Sequence, residues 1–296
     1  MKGNFENIRK SLQDYISNSN VSLSSLSRDL GYSKSTISAF LSGTYRGDNG
    51  RLATRIEQYL NKIQKRGRSL YIPVVETEAY KYMQEALSMT EVEGIMSLIV
   101  GDNGIGKTVA IKDYAEEHES ILIESDPGDT PISILKTIAA KLGLSAVGRL
   151  QAIRDQIIES APSRLLIVDE AENLPIKSLN FLRRIFDKSR LALALVGGPD
   201  IRGMFRSMRS DHKYLWRRIE MHVELPAMNE EDADKIMKAC GIKITDSAKE
   251  MLVSISQGNT SILVKLLKMC YKLITRNGYN SVSESVVKIA RKLLLV

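Results

Sequence analysis

The stretch Gly101-Asp102-Asn103-Gly104-Ile105-Gly106-Lys107-Thr108 restricts the fold of this 296-residue chain more than any other. It spells G-x-x-x-x-G-K-T. It follows the apolar run Ile95-Met96-Ser97-Leu98-Ile99-Val100 and precedes Val109-Ala110-Ile111-Lys112-Asp113-Tyr114-Ala115, which reads as a helix. Strand, loop and helix in that order make a phosphate cradle. The glycines let the backbone curl until successive N–H groups point at one anion, and the helix N-terminus adds its positive dipole end. Lys107 can reach the β- and γ-phosphates, and the Thr108 hydroxyl can ligate Mg²⁺. A Gly-rich turn without a ligand would need none of these flanking features, so the stretch is read as an ATP-binding loop.

Hydrolysis requires a second half. Leu165-Leu166-Ile167-Val168 is an apolar run that suits a parallel strand buried on both faces, and Asp169-Glu170 follow at its carboxyl end. Ligands of open α/β sheets bind at that end of the strands. Asp169 is the natural Mg²⁺ partner, direct or through water, and Glu170 is placed to orient or deprotonate the attacking water. Acids in the first turn of a helix would look similar on their own; the upstream loop decides for the catalytic reading. A third run, Leu191 to Val196, ends in Gly197-Gly198. Many ATPases of this architecture carry a polar γ-phosphate sensor at that strand end, and here the position looks like Gly198, with no side chain. The order is strand 95–100, helix 107–117, strand 121–124, helices 131–142 and 150–160, strand 165–168, helix 177–187, strand 191–196. Such alternation predicts a parallel sheet with helices on both faces.

The charge is unevenly placed. Residues 1–70 hold 12 Lys or Arg against 5 Asp or Glu, a net of +7, which equals the net charge of the whole chain. A basic module beside a neutral body suggests a polyanionic partner, although a solvated basic face is the bland alternative. The local pattern favours DNA. Phe5, Ile8, Leu12 and Ile16 have helical spacing; Val21 to Leu30 reads as a short second helix ended by Gly31; a third begins at Ser33 and a fourth runs from about Asn49 to Lys62. In the third, Ile37, Phe40 and Leu41 should face inward and Lys34, Ser35 and Ser38 outward. This is a helix-turn-helix pattern. Arg28, Lys34, Arg46 and Arg51 suit phosphate contact better than base reading, so little sequence preference is expected. Residues 65–72 read as a basic linker. No apolar run approaches the ~20 residues that span a bilayer, the N-terminus lacks a signal-peptide core, and Cys240 and Cys270 read as reduced apolar residues; a cytoplasmic protein is expected.

After Val223-Glu224-Leu225-Pro226 the pattern is all-helical, with Asn229-Glu230-Glu231-Asp232 as a helix start, Asp246 as a cap and Gly258-Asn259 as a break. A small helical lid after an α/β nucleotide domain is the layout of AAA+ ATPases. The expected class is an α/β P-loop NTPase (AAA+) with an N-terminal all-α helix-turn-helix domain (1–64), a basic linker (65–72), an α/β ATPase domain (73–225) and a C-terminal helical lid (226–296).

Ser35-Thr36-Ile37-Ser38, Tyr45-Arg46-Gly47-Asp48-Asn49, Val75-Glu76-Thr77, Gly101 to Thr108, Asp169-Glu170-Ala171-Glu172 and Leu215-Trp216-Arg217-Arg218-Ile219, in this order, resemble the Mu-type transposition B family nearly end to end. The resemblance implies an ATP- and Mg²⁺-dependent, largely non-specific binder of double-stranded DNA. Its subunits would form helical filaments on target DNA, recruit a transposase and stimulate strand transfer, with hydrolysis controlling release and target immunity. It also implies an arginine reaching a neighbour's γ-phosphate, matched by Arg218 with Arg217 as fallback. The lid's sensing arginine is matched by Ser261, so slow hydrolysis is expected. A second DNA surface on the ATPase domain would draw on Lys136, Arg149, Arg154, Arg202 and Arg206. The competing functions are a helix-turn-helix transcription regulator with an NTPase switch, and a helicase-loader or secretion-type ATPase.

Overall fold

The computed structural model describes residues 2–19, 26–27, 30–66, 70–161, 163–207 and 217–296. It contains two compact units, Met1–Leu70 and Tyr71–Val296. Among the described residues, no helix is long and apolar enough to cross a membrane.

The first unit is helical: α1 (Lys2–Ser19), α2 (Lys34–Leu41) and α3 (Asn49–Arg66). Most of the expected second helix lies outside the described residues; within it, Leu26, Ser27 and Leu30 are helical. The periodic positions close a small core of Ile8, Leu12, Leu26, Leu30, Ile37, Phe40, Leu52 and Ile56. Ser33 is the N-cap of α2 rather than its first residue, and its side chain accepts from the Thr36 N–H. Leu41, expected inside, is only partly buried. The Tyr45–Asn49 stretch is a built turn. Asn49 Nδ2 donates to the Tyr45 carbonyl at 3.0 Å, and Asp48 Oδ1 accepts from the Arg51 N–H at 2.9 Å, which starts α3. Helix α3 runs on through Lys65 and Arg66, so the first two residues of the expected linker are helical. Gln64, Lys65 and Arg66 are good helix formers, and Gly67 is the first breaker the sequence offers.

The second unit opens with α4 (Glu78–Glu93), capped by Thr77. It runs to Glu93 because no breaker precedes Gly94. Then follow β1 (Met96–Val100), α5 (Lys107–Glu117), β2 (Ile121–Glu124), α6 (Pro131–Lys141), α7 (Leu150–Ser160), β3 (Leu165–Asp169), a 3₁₀ turn (Ala171–Asn173), α8 (Ile176–Lys188), β4 (Ala192–Gly197), α9 (Asp200–Ser207) and β5 (Ile219–Glu224). The five strands lie in the order β2-β3-β4-β1-β5, all pairs parallel. Strands β1, β3 and β4 are buried along their whole length, as continuous apolar runs require. One face packs Ile134, Leu135, Ile138, Ile153 and Leu182, and the other packs Met83, Leu87, Ile111 and Tyr114.

Four helices complete the unit: α10 (Glu230–Ala239), α11 (Asp246–Ser256), α12 (Thr260–Asn277) and α13 (Glu284–Leu294). Thr245, not Asp246, is the cap position of α11; Asp246 is its first helical residue and pairs with Lys249 at 3.0 Å. Asp232 is 1% exposed, and both its carboxylate oxygens accept from the Glu78 N–H at 3.1 Å. A buried negative charge at the α4 N-terminus is stabilised by the helix dipole, and it ties the C-terminal helices to the α/β part.

Cys240 and Cys270 are buried free thiols. Burial raises both thiol pKa values, that of Cys270 to about 12. Thiolate is the reactive form, so little reacts near pH 8. Native protein at pH 8 should react with a thiol probe at least about 100-fold more slowly than urea-unfolded protein. Rapid native labelling would contradict this packing.

Candidate nucleotide site

The sheet order builds the site. Strand β4 lies between β1 and β3, with Val100 opposite Gly197 and Val168 opposite Leu195. The carboxyl ends of three strands therefore present Gly101 to Thr108, Gly197-Gly198 and Asp169-Glu170 side by side. The first loop residue is anchored by the Gly101 N–H, which donates to the Gly197 carbonyl at 3.1 Å.

Lys107 Nζ donates to the loop carbonyls of Gly101 (2.7 Å) and Asp102 (3.0 Å). Burial pushes the Lys107 ammonium pKa down, against the opposing charges of Glu172, Asp169, Asp102 and Glu170. The Thr108 hydroxyl donates to Asp169 Oδ2 at 2.8 Å, while Asp169 Oδ1 accepts from the Glu170 N–H at 3.0 Å. Asp169 is 1% exposed; burial raises its pKa, and the Thr108 and Glu170 hydrogen bonds oppose that shift. Glu170 is exposed and sits at φ 53°, the left-handed region that costs a side-chain-bearing residue free energy. Its Oε2 accepts from Asn173 Nδ2 at 3.2 Å. Thus the predicted Lys107, Thr108, Asp169 and Glu170 converge on one cleft of ≈ 740 Å³, which Asn103, Gly104, Gly106, Glu172 and Ser261 also line.

The paired oxygens of Thr108 and Asp169 suit a hard divalent cation. Among the described residues there is no group of three or more His, Cys, Asp or Glu able to cage a metal by itself. This donor set matches Mg²⁺, which binds through one or two protein oxygens together with substrate phosphates.

Sequence reasoning missed three parts of the site. The first is an apolar recess of ≈ 250 Å³ beside the loop. Ile72, Pro73, Val75, Tyr80, Ile105 and Val109 line it together with Ile236, Thr260 and Val264 from the C-terminal helices. Ile72 lies in the expected linker, and no local pattern announces a wall assembled from segments more than 150 residues apart. The second is Asn259. Its Oδ1 caps α12 by accepting from the Ile262 N–H (3.0 Å), while its Nδ2 donates to the Asn103 carbonyl (2.8 Å). The Ser261 N–H donates to the Gly104 carbonyl at 2.8 Å. Gly104 has φ +86°, and a Cβ there would lie 2.4 Å from Asn259 Oδ1, so only glycine fits. A Gly-Asn pair before an apolar helix was a legible cap, but not a legible contact. The third is Glu172, which reaches the end of β4.

Arg218 and Arg217 lie away from this cleft. With Lys177, Arg183 and Arg184 of α8 they line a basic basin of ≈ 630 Å³ that shares no residue with it. Arg218 is half exposed, and its Nε lies 3.2 Å from Asp187 Oδ1, a carboxylate also paired with Arg183. Of the expected DNA contacts, Lys34, Ser35, Ser38, Arg46 and Arg51 are exposed, and none of these three cations forms a salt bridge among the described residues. Arg28 lies outside the described residues, as does the side chain of Arg206. Lys136 and Arg149 are exposed on α6 and at the start of α7. Arg154 and Arg202 are less available than expected: Arg154 pairs with Asp155 at 2.6 Å and Arg202 with Glu224 at 2.8 Å.

A model of the AAA domain family matches residues 92–205. The chain is 26% identical to the Mu-like prophage FluMu DNA transposition protein B of Haemophilus influenzae, over 90% of this chain and 95% of that protein. It is also 26% identical to the ATP-dependent target DNA activator B of Escherichia phage Mu, over 66% of this chain and 64% of that protein. Among solved structures, the ORC2 protein of Aeropyrum pernix superimposes with a TM-score of 0.57 at 18% identity, over 74% of this chain and 69% of that one. The α/β part is a P-loop AAA-type fold.

Asn259→Ala removes a helix cap and a hydrogen bond to the phosphate loop. Thermal unfolding should show a loss of about 1–2 kcal/mol, with weakened nucleotide binding. An unchanged melting curve would show that Asn259 does not fasten α12 to the loop.

Proposed function

We propose that this homologue of the transposition B proteins is an ATPase that assembles on double-stranded DNA in its ATP state and presents that DNA to a transposase. The observation that carries the reading is the joining of a complete phosphate loop to Asp169 and Glu170 in one cleft, in a chain related to an ATP-dependent target DNA activator.

In this reading the triphosphate lies along the Gly101–Thr108 loop, and the apolar recess takes the adenine. Lys107 leaves its two loop carbonyls to bind the β- and γ-phosphates. Thr108 and Asp169 would hold Mg²⁺, which would supply positive charge against the terminal phosphates. Glu170 takes the proton of the attacking water. The water oxygen bonds to the γ-phosphorus, the bond to the bridging oxygen breaks, and ADP leaves with that oxygen. The C-terminal helices act as a lid, because Asn259 and Ser261 connect them to the loop that holds the phosphates.

The basic basin suits a neighbour's triphosphate. Two of its five cations, Arg183 and Arg218, pair with Asp187, while Lys177, Arg184 and Arg217 line the basin with no ion pair among the described residues. Arg218 there would reach the γ-phosphate of the next subunit and make ATP part of the interface. Such head-to-tail contacts give open helices when they do not close into rings. The N-terminal unit, a helix-turn-helix in this reading, adds phosphate contacts through Lys34, Arg46 and Arg51. Hydrolysis then loosens the subunit contacts and releases the DNA in the host cytoplasm, which accounts for turnover and target immunity.

Lys107→Ala should weaken ATP binding by more than about tenfold, measured by titration with a fluorescent nucleotide. Glu170→Gln should bind ATP normally and hydrolyse it about 100-fold more slowly. Wild-type turnover in Glu170→Gln would remove that carboxylate from the reaction. Replacing Lys34, Arg46 and Arg51 together by Ala should lower DNA affinity evenly across unrelated sequences. It should also flatten the logarithmic salt dependence by about 2–3 units. Binding that stays tight, or a loss confined to one sequence, would reject the phosphate-contact role.

A further inference from the structure

Gly197 ends β4 and Gly198 follows it, at the strand end where many ATPases of this architecture carry a polar sensor, and a carboxylate from another strand's loop fills the space. Beyond β3, the 3₁₀ turn Ala171–Asn173 folds back toward β4, held by the Asn173 N–H donating to the Glu170 carbonyl at 2.9 Å and by the fully buried Ala171. The turn lays the Glu172 carboxylate over both glycines. Glu172 Oε1 accepts from the Gly198 N–H at 2.9 Å. A Cβ on Gly197 would stand 2.3 Å from Glu172 Oε2, and one on Gly198 would stand 3.0 Å from Oε1 and 3.3 Å from Asn103 Oδ1. A side chain on Gly197 would displace the Glu172 carboxylate, and one on Gly198 would press on it.

The second oxygen is the informative one. Glu172 Oε2 is buried and makes no hydrogen bond among the described residues. A buried carboxylate oxygen without a donor is unfavourable, so a strong donor is expected there in the working state. Glu172 lines the same cleft as Lys107, Thr108, Asp169 and Glu170, and of all the charges around Lys107 it acts on the ammonium most strongly.

We propose that Glu172 is a positioning residue for ATP hydrolysis: it replaces the polar strand-end sensor that Gly198 cannot provide, and its free oxygen orients the attacking water toward the γ-phosphate. This rests on the ATPase reading above. Glu172 accepts a hydrogen bond from the water and takes no proton; Glu170 does that. Its Oε1 bond to the Gly198 backbone couples the water to β4, so movement of that strand end on binding triphosphate is felt at the reacting oxygen.

The test compares the full-length wild type with Glu172→Gln, Glu172→Ala, Gly198→Ser and the double variant Glu172→Ala/Gly198→Ser. Nucleotide affinity and steady-state turnover are measured with ATP and Mg²⁺, with and without DNA. Glu172→Gln keeps an acceptor for the Gly198 N–H and the shape of the side chain but loses the charge. It should bind ATP within about threefold of wild type, keep its melting temperature, and lose about 10- to 100-fold in kcat. Gly198→Ser alone should be impaired, because its Cβ meets Glu172. The double variant should recover about fivefold or more over Glu172→Ala, as the serine hydroxyl takes the vacated place. Undiminished kcat in Glu172→Gln, or a parallel fall in kcat and affinity, or strictly additive effects in the double variant, would overturn the proposal and leave the ATPase reading standing. Absence of ATP hydrolysis by the wild type under all conditions would overturn the ATPase reading and this proposal together.

Discussion

The insertion of β4 between β1 and β3 is the constraint on which the rest of the site depends. Parallel pairing of three fully buried strands fixes the spacing between the phosphate loop and the acidic strand end. The gap is spanned by one contact, the Thr108 hydroxyl donating to Asp169 Oδ2. Without that alignment the loop could still bind an anion, but no carboxylate pair would face the terminal phosphate. The same alignment places Gly197-Gly198 at the cleft, where the Glu172 carboxylate lies against them.

The Gly101–Thr108 loop and the Asp169-Glu170 strand end were legible in the sequence because their signals are local. A phosphate loop needs its glycines, Lys and Thr within eight positions, and a strand buried on both faces shows as an uninterrupted apolar run such as Leu165 to Val168. Helix ends were less legible: α3 runs beyond its expected end at Lys62, since a helix stops where a breaker stands and not where its apolar stripe thins. What remained hidden was built from distant segments. Asn259 against Asn103 joins positions 156 residues apart, and the apolar recess combines Ile72 with Val264. Glu172 was visible as a letter in Asp-Glu-Ala-Glu, but only the 3₁₀ turn after β3 aims it at β4.

Electrostatics divides the chain into two tasks. The N-terminal unit carries the net charge and exposes Lys34, Arg46 and Arg51, which suits contact with a phosphate backbone and not with base edges. The second unit is neutral overall but concentrates opposite signs in separate places, carboxylates around the phosphate loop and cations in the basin of α8 and Arg217-Arg218. In the proposed assembly, the triphosphate held in the acidic cleft of one subunit would neutralise the basic basin of the next. Subunit contact in that proposal would depend on the nucleotide state, and many weak phosphate contacts would add along a polymer where one subunit's would not suffice.

Direct observation of assembly is the sharpest test of this account. Electron micrographs of the purified protein on linear duplex DNA, taken with ATP, with ADP and without nucleotide, should show continuous helical coverage with ATP alone. Single particles scattered along the duplex in all three conditions, or equal coverage in all three, would contradict it.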